Sequence, residues 1–388
     1  MRHTCRFSRR SAGEFLQRYW QKSPRLLRLA FPGILPAITP EELAGLACET
    51  GVESRLIIKT GGQPGWNVRH GPFKTADFSK LPEKNWTLLV QDTDKHVPEL
   101  ADFLGHFDFI PRWRVDDLMI SYAVDGGTVG PHVDAYDVFL LQVLGQRRWR
   151  ITRKHLPPLI KPGLQLDLVG DFKPQHDWLL SPGDMLYLPP GTAHHGTAVG
   201  ECMTFSIGMR APTDAEMLAD LSTRLLARLD KHARYTDPDL SPAISDTSRL
   251  NTKTLAAIRK RMCSALRMRA DELDEWFGCF ITEPKSWLIP RPARRRLTPA
   301  VLAAKLKHHK KIARSPAASL LWSVAGTRHI RLFVNGRCHL LPAGMAEFAR
   351  LLGNRRMYTA TMLAPWLRKP HAAKLLAELH NEGLLYFP

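Results

Sequence analysis

Two stretches decide the fold of this chain: GGTVGPHVD at residues 126–134 and GDMLYLPPGTAH at residues 183–194. The first places five residues between a glycine and a His-x-Asp, and the second places five between a glycine and a Pro-x-Gly-x-x-His. Side chains at i and i+2 of a strand point to one face, so His132 and Asp134 can grip one metal ion, with His194 as the third ligand. Two histidines and one carboxylate are the ligands of non-haem Fe(II) sites in oxygenases, with positions left open for reactants. The sequence therefore predicts an iron site.

The third ligand must be chosen from two adjacent histidines, His194 and His195. Neighbours on an extended segment face opposite ways, so one of them points inward. The spacing from Pro189 and Gly191 selects His194, and His195 is then a surface residue or lies behind the ligands. The reversed assignment stays open. Together the two stretches resemble the two motifs of the cupin barrel, with Asp134 where many cupins have a second histidine.

Short apolar runs separated by turn residues predict a β barrel or sandwich around these motifs. The runs are LII at 56–58, WTLLV at 86–90, DLMISY at 117–122 and VFLLQV at 138–143. Before them, short amphipathic helices are predicted at 14–20 and at 40–47, the second with Thr39 as its cap.

A tight turn is predicted at 145–146, followed by a basic strand that contains Arg147 and Arg148. An Fe(II) oxygenase that consumes a 2-oxo acid must hold the far carboxylate of that acid, and a guanidinium can do so with two parallel hydrogen bonds. We assign this role to Arg147. Arg148 is the alternative, because strand parity read from sequence can slip by one residue. Ser121, on the strand before the metal motif, can donate a further hydrogen bond to the same carboxylate.

Composition indicates a basic globular protein with two or three domains in its 388 residues. The net charge of +18 favours an acidic partner, above all nucleic acid or a ribonucleoprotein, although a basic surface without a specific ligand is the alternative. Six cysteines without a C-x-x-C pair predict neither a disulfide framework nor a zinc site. We expect a cytoplasmic protein without membrane contact, because no apolar run is long enough for a membrane span or a secretory signal.

Helix and hairpin patterns alternate after the barrel. Thr213 opens a helix whose leucines recur at helical spacing, and a second helix runs from Thr254 to Leu266. These two helices either pack on the chain or form a dimer interface. Later, RHIRLFVNGR at 328–337 predicts a strand with an Asn-Gly turn.

The end of the chain combines that hairpin with basic stretches and helical patterns. The basic stretches lie at 291–296 and 305–311, and the helical patterns at 346–352 and 372–379. This order suits a small winged-helix-like domain, which can contact phosphates or serve as a protein-contact module.

Four parts are therefore expected along the chain. They are an amino-terminal helical segment at 1–54 that packs on the barrel, a catalytic barrel at 55–212, a helical dimerisation segment at 213–290 and a winged-helix-like domain at 291–388. The predicted fold class is a mainly β catalytic core, a double-stranded β-helix, with α-helical and winged-helix carboxyl-terminal domains.

Four stretches resemble the bacterial ribosomal oxygenases: DDLMIS at 116–121, GPHVDAYDVF at 130–139, QRRWR at 146–150 and PPGTAH at 189–194. Members of this family are JmjC-type, cupin-fold hydroxylases that depend on Fe(II), 2-oxoglutarate and O2. The resemblance implies hydroxylation of an arginine side chain, at the carbon beta to the backbone, in a protein of the large ribosomal subunit. It also implies a homodimer.

The resemblance implies roles by matching position. His132, Asp134 and His194 would bind iron, and Arg147 and Ser121 would hold the 2-oxoglutarate carboxylate. Two features depart from the family pattern: a histidine follows the last ligand where an acidic residue is expected, and the carboxyl-terminal region is more basic than expected. The surplus charge would favour contact with ribosomal RNA or an assembly intermediate.

An arginine substrate needs acidic or aromatic neighbours near the iron, and the candidates are Asp116, Asp117, Asp125, Tyr136 and Asp137. Three other functions stay open. A JmjC-type demethylase or other protein hydroxylase would use the same iron and co-substrate. A non-oxygenase metal cupin would not need Arg147, and a nucleic-acid-binding regulator would rely on the basic carboxyl-terminal domain.

Overall fold

The computed structural model describes residues 9–61, 65–154, 156–157, 165–238, 248 and 250–388. The chain forms two compact units. The first unit takes in the residues up to 211 together with 284–318 and 355–388, and the second takes in 212–283 and 319–354.

The described residues form sixteen strands: β1 Arg25–Leu27, β2 Ser54–Lys59, β3 Trp66–His70, β4 Trp86–Val90, β5 Val115–Ala123, β6 His132–Val133, β7 Asp137–Thr152, β8 His176–Leu180, β9 Met185–Leu188, β10 Ala193–Met209, β11 Lys311–Arg314, β12 Leu320–Ala325, β13 His329–Val334, β14 Arg337–Pro342, β15 Met357–Thr359 and β16 Leu385–Tyr386.

They also form twelve α-helices: α1 Arg9–Arg18, α2 Pro40–Leu46, α3 Thr75–Phe78, α4 Thr93–His96, α5 Pro98–Phe103, α6 Asp214–Arg228, α7 Thr252–Ala265, α8 Ala270–Thr282, α9 Pro299–His309, α10 Ala346–Asn354, α11 Ala360–Leu367 and α12 Pro370–Asn381. Short 3₁₀ helices cover Leu104–Phe107, Arg112–Arg114 and Ala343–Met345.

In the part of the chain that the structure describes, β1 to β10 form one antiparallel sheet in the order β1-β9-β7-β10-β5-β4-β2-β3. Strand β6 pairs with β10 and strand β8 pairs with β7. The first half of β7 pairs with β9 and the second half with β8, while β10 pairs along both halves. Two long strands that each serve two layers in this way build the predicted double-stranded β-helix.

Strand β7 continues through Gly145, so the tight turn predicted at 145–146 is wrong. Gly145 has a φ of +58°, and a Cβ there would collide with the carbonyl oxygen of Glu201. The pairing of β7 with β10 shifts register between Val199 and Met203 at the same place. Glycine therefore lets β7 bend past an irregular segment of β10, where a larger residue would be strained.

The amino-terminal helices cover the outer face of the barrel. The Phe15 ring, on α1, lies 4.8 Å from the ring of Tyr187 and 5.5 Å from that of Phe139, all three buried. The predicted second helix is confirmed as α2, with Thr39 and Glu42 accepting hydrogen bonds from each other's backbone N–H groups. Burial of these aromatic rings stabilises the outer layer of the barrel.

The second unit contains the helices predicted from Thr213 and near 254–266, which are confirmed as α6 and α7. The predicted Asn-Gly hairpin is confirmed as β13 and β14, within a three-stranded sheet β12-β13-β14. Helix α8 was not predicted. Its Trp276 donates to Asp220 of α6 at 2.6 Å, and Gly278 allows the Phe333 ring of β13 to pack closely.

The carboxyl-terminal part of the first unit contains α9, α11 and α12 with the sheet β15-β11-β16. It is tied to the barrel by ion pairs, since the Nζ atom of Lys285 lies 2.8 Å from Asp92 and the Nε atom of Arg356 lies 3.5 Å from Asp102. Across the described residues, no helix is long and apolar enough to cross a membrane. The described cysteines are unpaired thiols, and Cys5 lies outside the described residues.

Candidate metal and co-substrate site

The structure brings His132, Asp134 and His194 together, with one potential ligand atom from each within 4.8 Å of the others. The Nε2 atom of His132 lies 3.9 Å from one carboxylate oxygen of Asp134, and the Nε2 atom of His194 lies 3.5 Å from the other. Strands β6 and β10 place His132 directly opposite His194. The pairing of β6 with β10 therefore brings the two sequence motifs together, although they lie far apart along the chain.

Backbone carbonyls orient both imidazoles. The Nδ1 atom of His132 lies 3.0 Å from the Gly130 oxygen, and the Nδ1 atom of His194 lies 2.9 Å from the Thr192 oxygen. Each ring can therefore donate through Nδ1, which leaves the Nε2 lone pair facing the cluster. Burial lowers the pKa of His194 to about 4, and the nearby His132 adds to the effect. A neutral imidazole is the form that binds a metal ion.

His195 faces a different environment. Its Nδ1 atom lies 3.2 Å from the Arg150 guanidinium, and its ring packs edge-on to Phe172 with centroids 6.0 Å apart. The structure therefore places His194, and not His195, in the metal cluster.

Arg147 lies inside the same barrel and is 2% exposed. It donates a hydrogen bond to the Ser121 hydroxyl at 3.1 Å, while its Nε atom is buried without a partner. No carboxylate of the described residues lies within ion-pair distance of this guanidinium, and burial lowers its pKa. A buried charge without a counter-charge is costly, so the site is suited to an anion that comes from outside the chain.

Arg148 points the other way. Its Nε atom lies 2.7 Å from Asp177, and both side chains are more than one-third exposed. Of the two arginines considered from sequence, Arg147 thus lies with Ser121 in the interior, and Arg148 forms a surface ion pair. The metal cluster and the buried guanidinium together fit an iron ion and a dicarboxylic 2-oxo acid.

Trp149 is a site residue that sequence reasoning missed. It is 5% exposed, its ring centroid lies 5.2 Å from the Arg147 guanidinium carbon and 5.8 Å from the His194 ring, and its indole N–H is buried without a partner. The available signal was strand alternation, which places Trp149 on the face of Arg147. Gln142 and Thr204 were also missed; they are buried and joined by a hydrogen bond of 2.9 Å.

Gly196 lies opposite Trp149 on β10, where a Cβ would come within 2.7 Å of the indole ring and 2.8 Å of the Arg147 Nε atom. We therefore expect Gly196→Ala to displace both side chains, lowering the free energy of unfolding by about 1–3 kcal/mol and weakening 2-oxo acid binding. Urea unfolding and calorimetric titration measure the two effects. Gly105→Ala, at an exposed glycine with open space around it, is the matched control and should change neither. Unchanged binding by Gly196→Ala would contradict the packing argument.

Protein-family models match most of the chain beyond residue 101. A JmjC domain matches residues 102–217, and a ROXA-like winged helix matches residues 265–386. The barrel and its His-Asp-His cluster thus define a JmjC-domain protein, as the sequence predicted.

Curated and solved relatives extend the match to the whole chain. The chain is 35% identical over 378 residues to the Escherichia coli ribosomal protein uL16 3-hydroxylase, covering 96% of this chain and 97% of that protein. The crystal structure of E. coli YcfD superposes with a TM-score of 0.86 at 32% identity, covering all of both chains. A structure of the same ribosomal oxygenase in complex with cobalt and 2-oxoglutarate has a TM-score of 0.82 at 33% identity, covering 100% of this chain and 99% of that one. The chain belongs to the ribosomal oxygenase family.

Proposed function

We propose that this protein is an Fe(II)- and 2-oxoglutarate-dependent oxygenase that hydroxylates an arginine at its β carbon in a protein of the large ribosomal subunit. The observation that carries the proposal is the meeting of a His-Asp-His cluster and a buried, uncompensated arginine in one barrel. The relative named a uL16 3-hydroxylase and the relative solved with cobalt and 2-oxoglutarate support the substrate class and the co-substrate. A ribosomal substrate places the enzyme in the cytoplasm.

In this proposal His132, Asp134 and His194 hold the iron, and Arg147 with Ser121 binds the far carboxylate of 2-oxoglutarate. Iron and co-substrate together supply oxidative decarboxylation by dioxygen and the transfer of one oxygen atom to a carbon of the substrate. The chain's own contribution is positioning. Arg147 holds the co-substrate through charge-assisted hydrogen bonds.

The five residues considered for substrate recognition differ in the contacts that their side chains make. Asp125 pairs with Lys84 at 3.2 Å on the surface, and the buried Asp137 pairs with Arg114 at 3.1 Å. Both carboxylates are therefore committed to structural contacts.

Asp116, Asp117 and Tyr136 surround Gly208, where Asp116 also pairs with Lys285 at 3.2 Å and Asp117 accepts a hydrogen bond from the Asp92 N–H at 3.0 Å. A Cβ on that glycine would lie 3.3 Å from an oxygen of Asp117, 3.8 Å from the Tyr136 ring and 4.0 Å from the Cβ of Asp116. Tyr136 is 37% exposed, and burial of its hydroxyl raises its pKa, with the nearby charge of Asp134 adding to the effect. Two acidic side chains and a ring around one glycine, with the ring beside the ligand Asp134, suit a guanidinium, which supports an arginine substrate despite the basic net charge.

The titration of Asp117 makes the stability of the folded chain depend on pH. Burial raises its pKa to about 7, and the carboxylates of Asp92, Asp116 and Asp94 act in the same direction. The folded chain therefore binds this proton more tightly than the unfolded chain does. The resulting stability is fully present at low pH and is lost between the ordinary carboxyl pKa near 4 and about 7.

Asp117→Asn removes that titration, so we expect its free energy of unfolding to rise relative to that of the wild type between pH 5 and pH 8. Urea midpoints at the two pH values measure the change. Asp125→Asn is the control, because a backbone hydrogen bond from Gly200 and the nearby Lys84 hold the pKa of Asp125 below its usual range, so its titration lies below pH 5 and its difference from wild type should be the same at both pH values. The same difference from wild type at both pH values for Asp117→Asn would contradict the assignment.

A homodimer is part of the proposal. Helices α6 and α7, with the residue that follows each, expose a series of large apolar side chains: Leu218, Leu226, Leu229, Leu255, Ile258, Met262 and Leu266. Exposed apolar surface of this extent marks an interaction surface. Light scattering during gel filtration of the wild type and of Leu226→Arg tests the dimer, which the arginine should dissociate.

The hydroxylation site can be tested by fragment-ion mass spectrometry of recombinant uL16 after incubation with this protein, Fe(II), ascorbate and 2-oxoglutarate. The proposal expects one added oxygen on an arginine side chain and one succinate formed per modified chain. Oxygen on another residue type would replace the arginine assignment while keeping the oxygenase. Formaldehyde released from a methylated peptide, without stable hydroxylation, would indicate the demethylase alternative.

A further inference from the structure

Positive charge is concentrated in one part of this chain. Between Glu283 and Glu347 the sequence has thirteen lysines and arginines and no aspartate or glutamate, although acids make up 37 of all 388 residues. The two carboxyl-terminal segments of the first unit, 284–318 and 355–388, together contain fifteen basic residues and two acidic ones. They account for thirteen of the eighteen net positive charges.

A run of three exposed arginines, Arg294 to Arg296, lies on a loop whose backbone is fixed. The loop is held against the end of α12, because Asn381 donates to the Leu297 oxygen at 3.0 Å and accepts from the Leu297 N–H at 2.7 Å. The Ala293 N–H also donates to the Asn381 carbonyl at 3.1 Å. The three guanidinium groups therefore project from an anchored part of the surface.

An aromatic cluster lies beside the same helix end. The Phe387 ring is 5.4 Å from the ring of His380, the residue before Asn381, and 5.0 Å from the ring of His309. The Nζ atom of Lys305 lies 5.4 Å from the centre of the Phe387 ring. Phe387 is only partly buried. We call Arg294, Arg295, Arg296, Lys305, His309 and Phe387 the basic-aromatic surface.

Helix stability does not account for all of these charges. Lys307, His308 and His309 lie in the last turn of α9, where cations are favoured by the helix dipole. Arg294 to Arg296 precede the first turn of the same helix, where positive charge is disfavoured. Among the described residues, no carboxylate lies within 4.0 Å of these three guanidinium groups. Their position costs stability in the free protein, which a bound anion would offset.

We propose that the basic-aromatic surface binds single-stranded RNA. The arginines and Lys305 would contact phosphates, and the Phe387 ring would stack with a base. Proteins that bind single-stranded nucleic acid combine aromatic rings with cationic side chains. The rings stack on the faces of the bases, and the cations neutralise the charges of the phosphates. An acidic protein would use the cations without needing the ring. This binding does not require iron, 2-oxoglutarate or the oxygenase activity.

Fluorescence anisotropy of a labelled single-stranded RNA of mixed sequence, about twenty nucleotides long, tests the proposal over a series of salt concentrations with the full chain. Replacing Arg294, Arg295 and Arg296 together by glutamine should weaken binding at least about tenfold. It should also reduce the slope of log K against log salt by about 2, since each lost phosphate contact contributes about 0.7. Phe387→Ala should weaken binding about tenfold with little change in slope, and Phe387→Trp should restore it.

The matched control replaces three exposed lysines elsewhere, Lys74, Lys80 and Lys231, by glutamine, which removes the same charge. An equal loss in this control would show that net charge alone attracts RNA and would overturn the proposal. Failure of the wild type to bind RNA at low salt would also overturn it. So would equal competition by polyglutamate of matched length, which would assign the surface to an acidic protein.

Discussion

Replacing His194 by alanine is expected to abolish turnover, with a loss of about a thousandfold or more, because one of three protein ligands disappears from a 2-His-1-carboxylate site. The side chain is 2% exposed, so neither solvent nor a neighbouring residue can easily replace its Nε2 atom. His132→Ala and Asp134→Ala should have the same outcome. Succinate formation with the ribosomal substrate measures turnover, and calorimetric titration with Mn²⁺ under nitrogen measures loss of the metal.

His195→Ala is the matched control, since it removes the adjacent imidazole and leaves the cluster intact. Its ring contacts Arg150 and Phe172, so activity should stay within about threefold of wild type. Full activity in His194→Ala would contradict the ligand assignment. A complete loss in His195→Ala, with His194→Ala active, would reverse the two roles.

Replacing Arg147 by methionine is expected to raise the 2-oxoglutarate requirement about a hundredfold or more, while the iron requirement changes little. In the proposed site the change removes the charged group that binds the co-substrate carboxylate, and it removes no metal ligand. The buried guanidinium has a serine hydroxyl as its hydrogen-bond acceptor, and methionine replaces it by an apolar side chain of similar length. The free energy of unfolding should therefore stay unchanged or rise.

Arg148→Met tests whether the effect of Arg147→Met comes from the position of the arginine or only from the loss of one positive charge. Arg148 forms an exposed ion pair with Asp177, and such pairs contribute little to stability, so neither requirement should change. Saturation curves for 2-oxoglutarate and for Fe(II), with thermal unfolding of each variant, separate these effects. An equal rise in both requirements for Arg147→Met would count against a carboxylate contact, and marked destabilisation would count against an uncompensated buried charge.

The metal cluster could be predicted because its geometry is local. His132 and Asp134 lie two residues apart on extended backbone, and the Pro-Gly spacing before His194 sets which of two neighbours faces inward. The pairing of β6 with β10 that joins them spans sixty residues and was inferred only from resemblance to a two-motif barrel.

The path of β7 could not be predicted, because a glycine before a polar residue is equally compatible with a turn and with a bend opposite a register shift. The bend also changes strand parity. Leu140 and Trp149 pack in one cluster although one position is even and the other odd. The alternation of inward and outward side chains counted before Gly145 therefore gives the wrong face after it. For this reason the sequence alone could not decide whether Arg147 or Arg148 points inward.

The buried polar interior was also beyond sequence reasoning. Gln142 and Thr204 are 62 residues apart and meet only through strand pairing. Burial raises the pKa of Asp117, and the nearby charges of Asp92 and Asp94, which lie at another element, add to the effect. These contacts form only when the sheet is assembled.

We propose that this chain uses dioxygen and 2-oxoglutarate to oxidise a ribosomal protein. Intact-mass analysis of large-subunit ribosomal proteins, incubated with the enzyme, Fe(II), ascorbate, 2-oxoglutarate and isotopically heavy dioxygen, tests it most directly. We expect that a single protein gains the mass of one heavy oxygen atom, and that the gain is lost without 2-oxoglutarate or with His194→Ala. No gain on any ribosomal protein, or a gain of light oxygen from water, would contradict it.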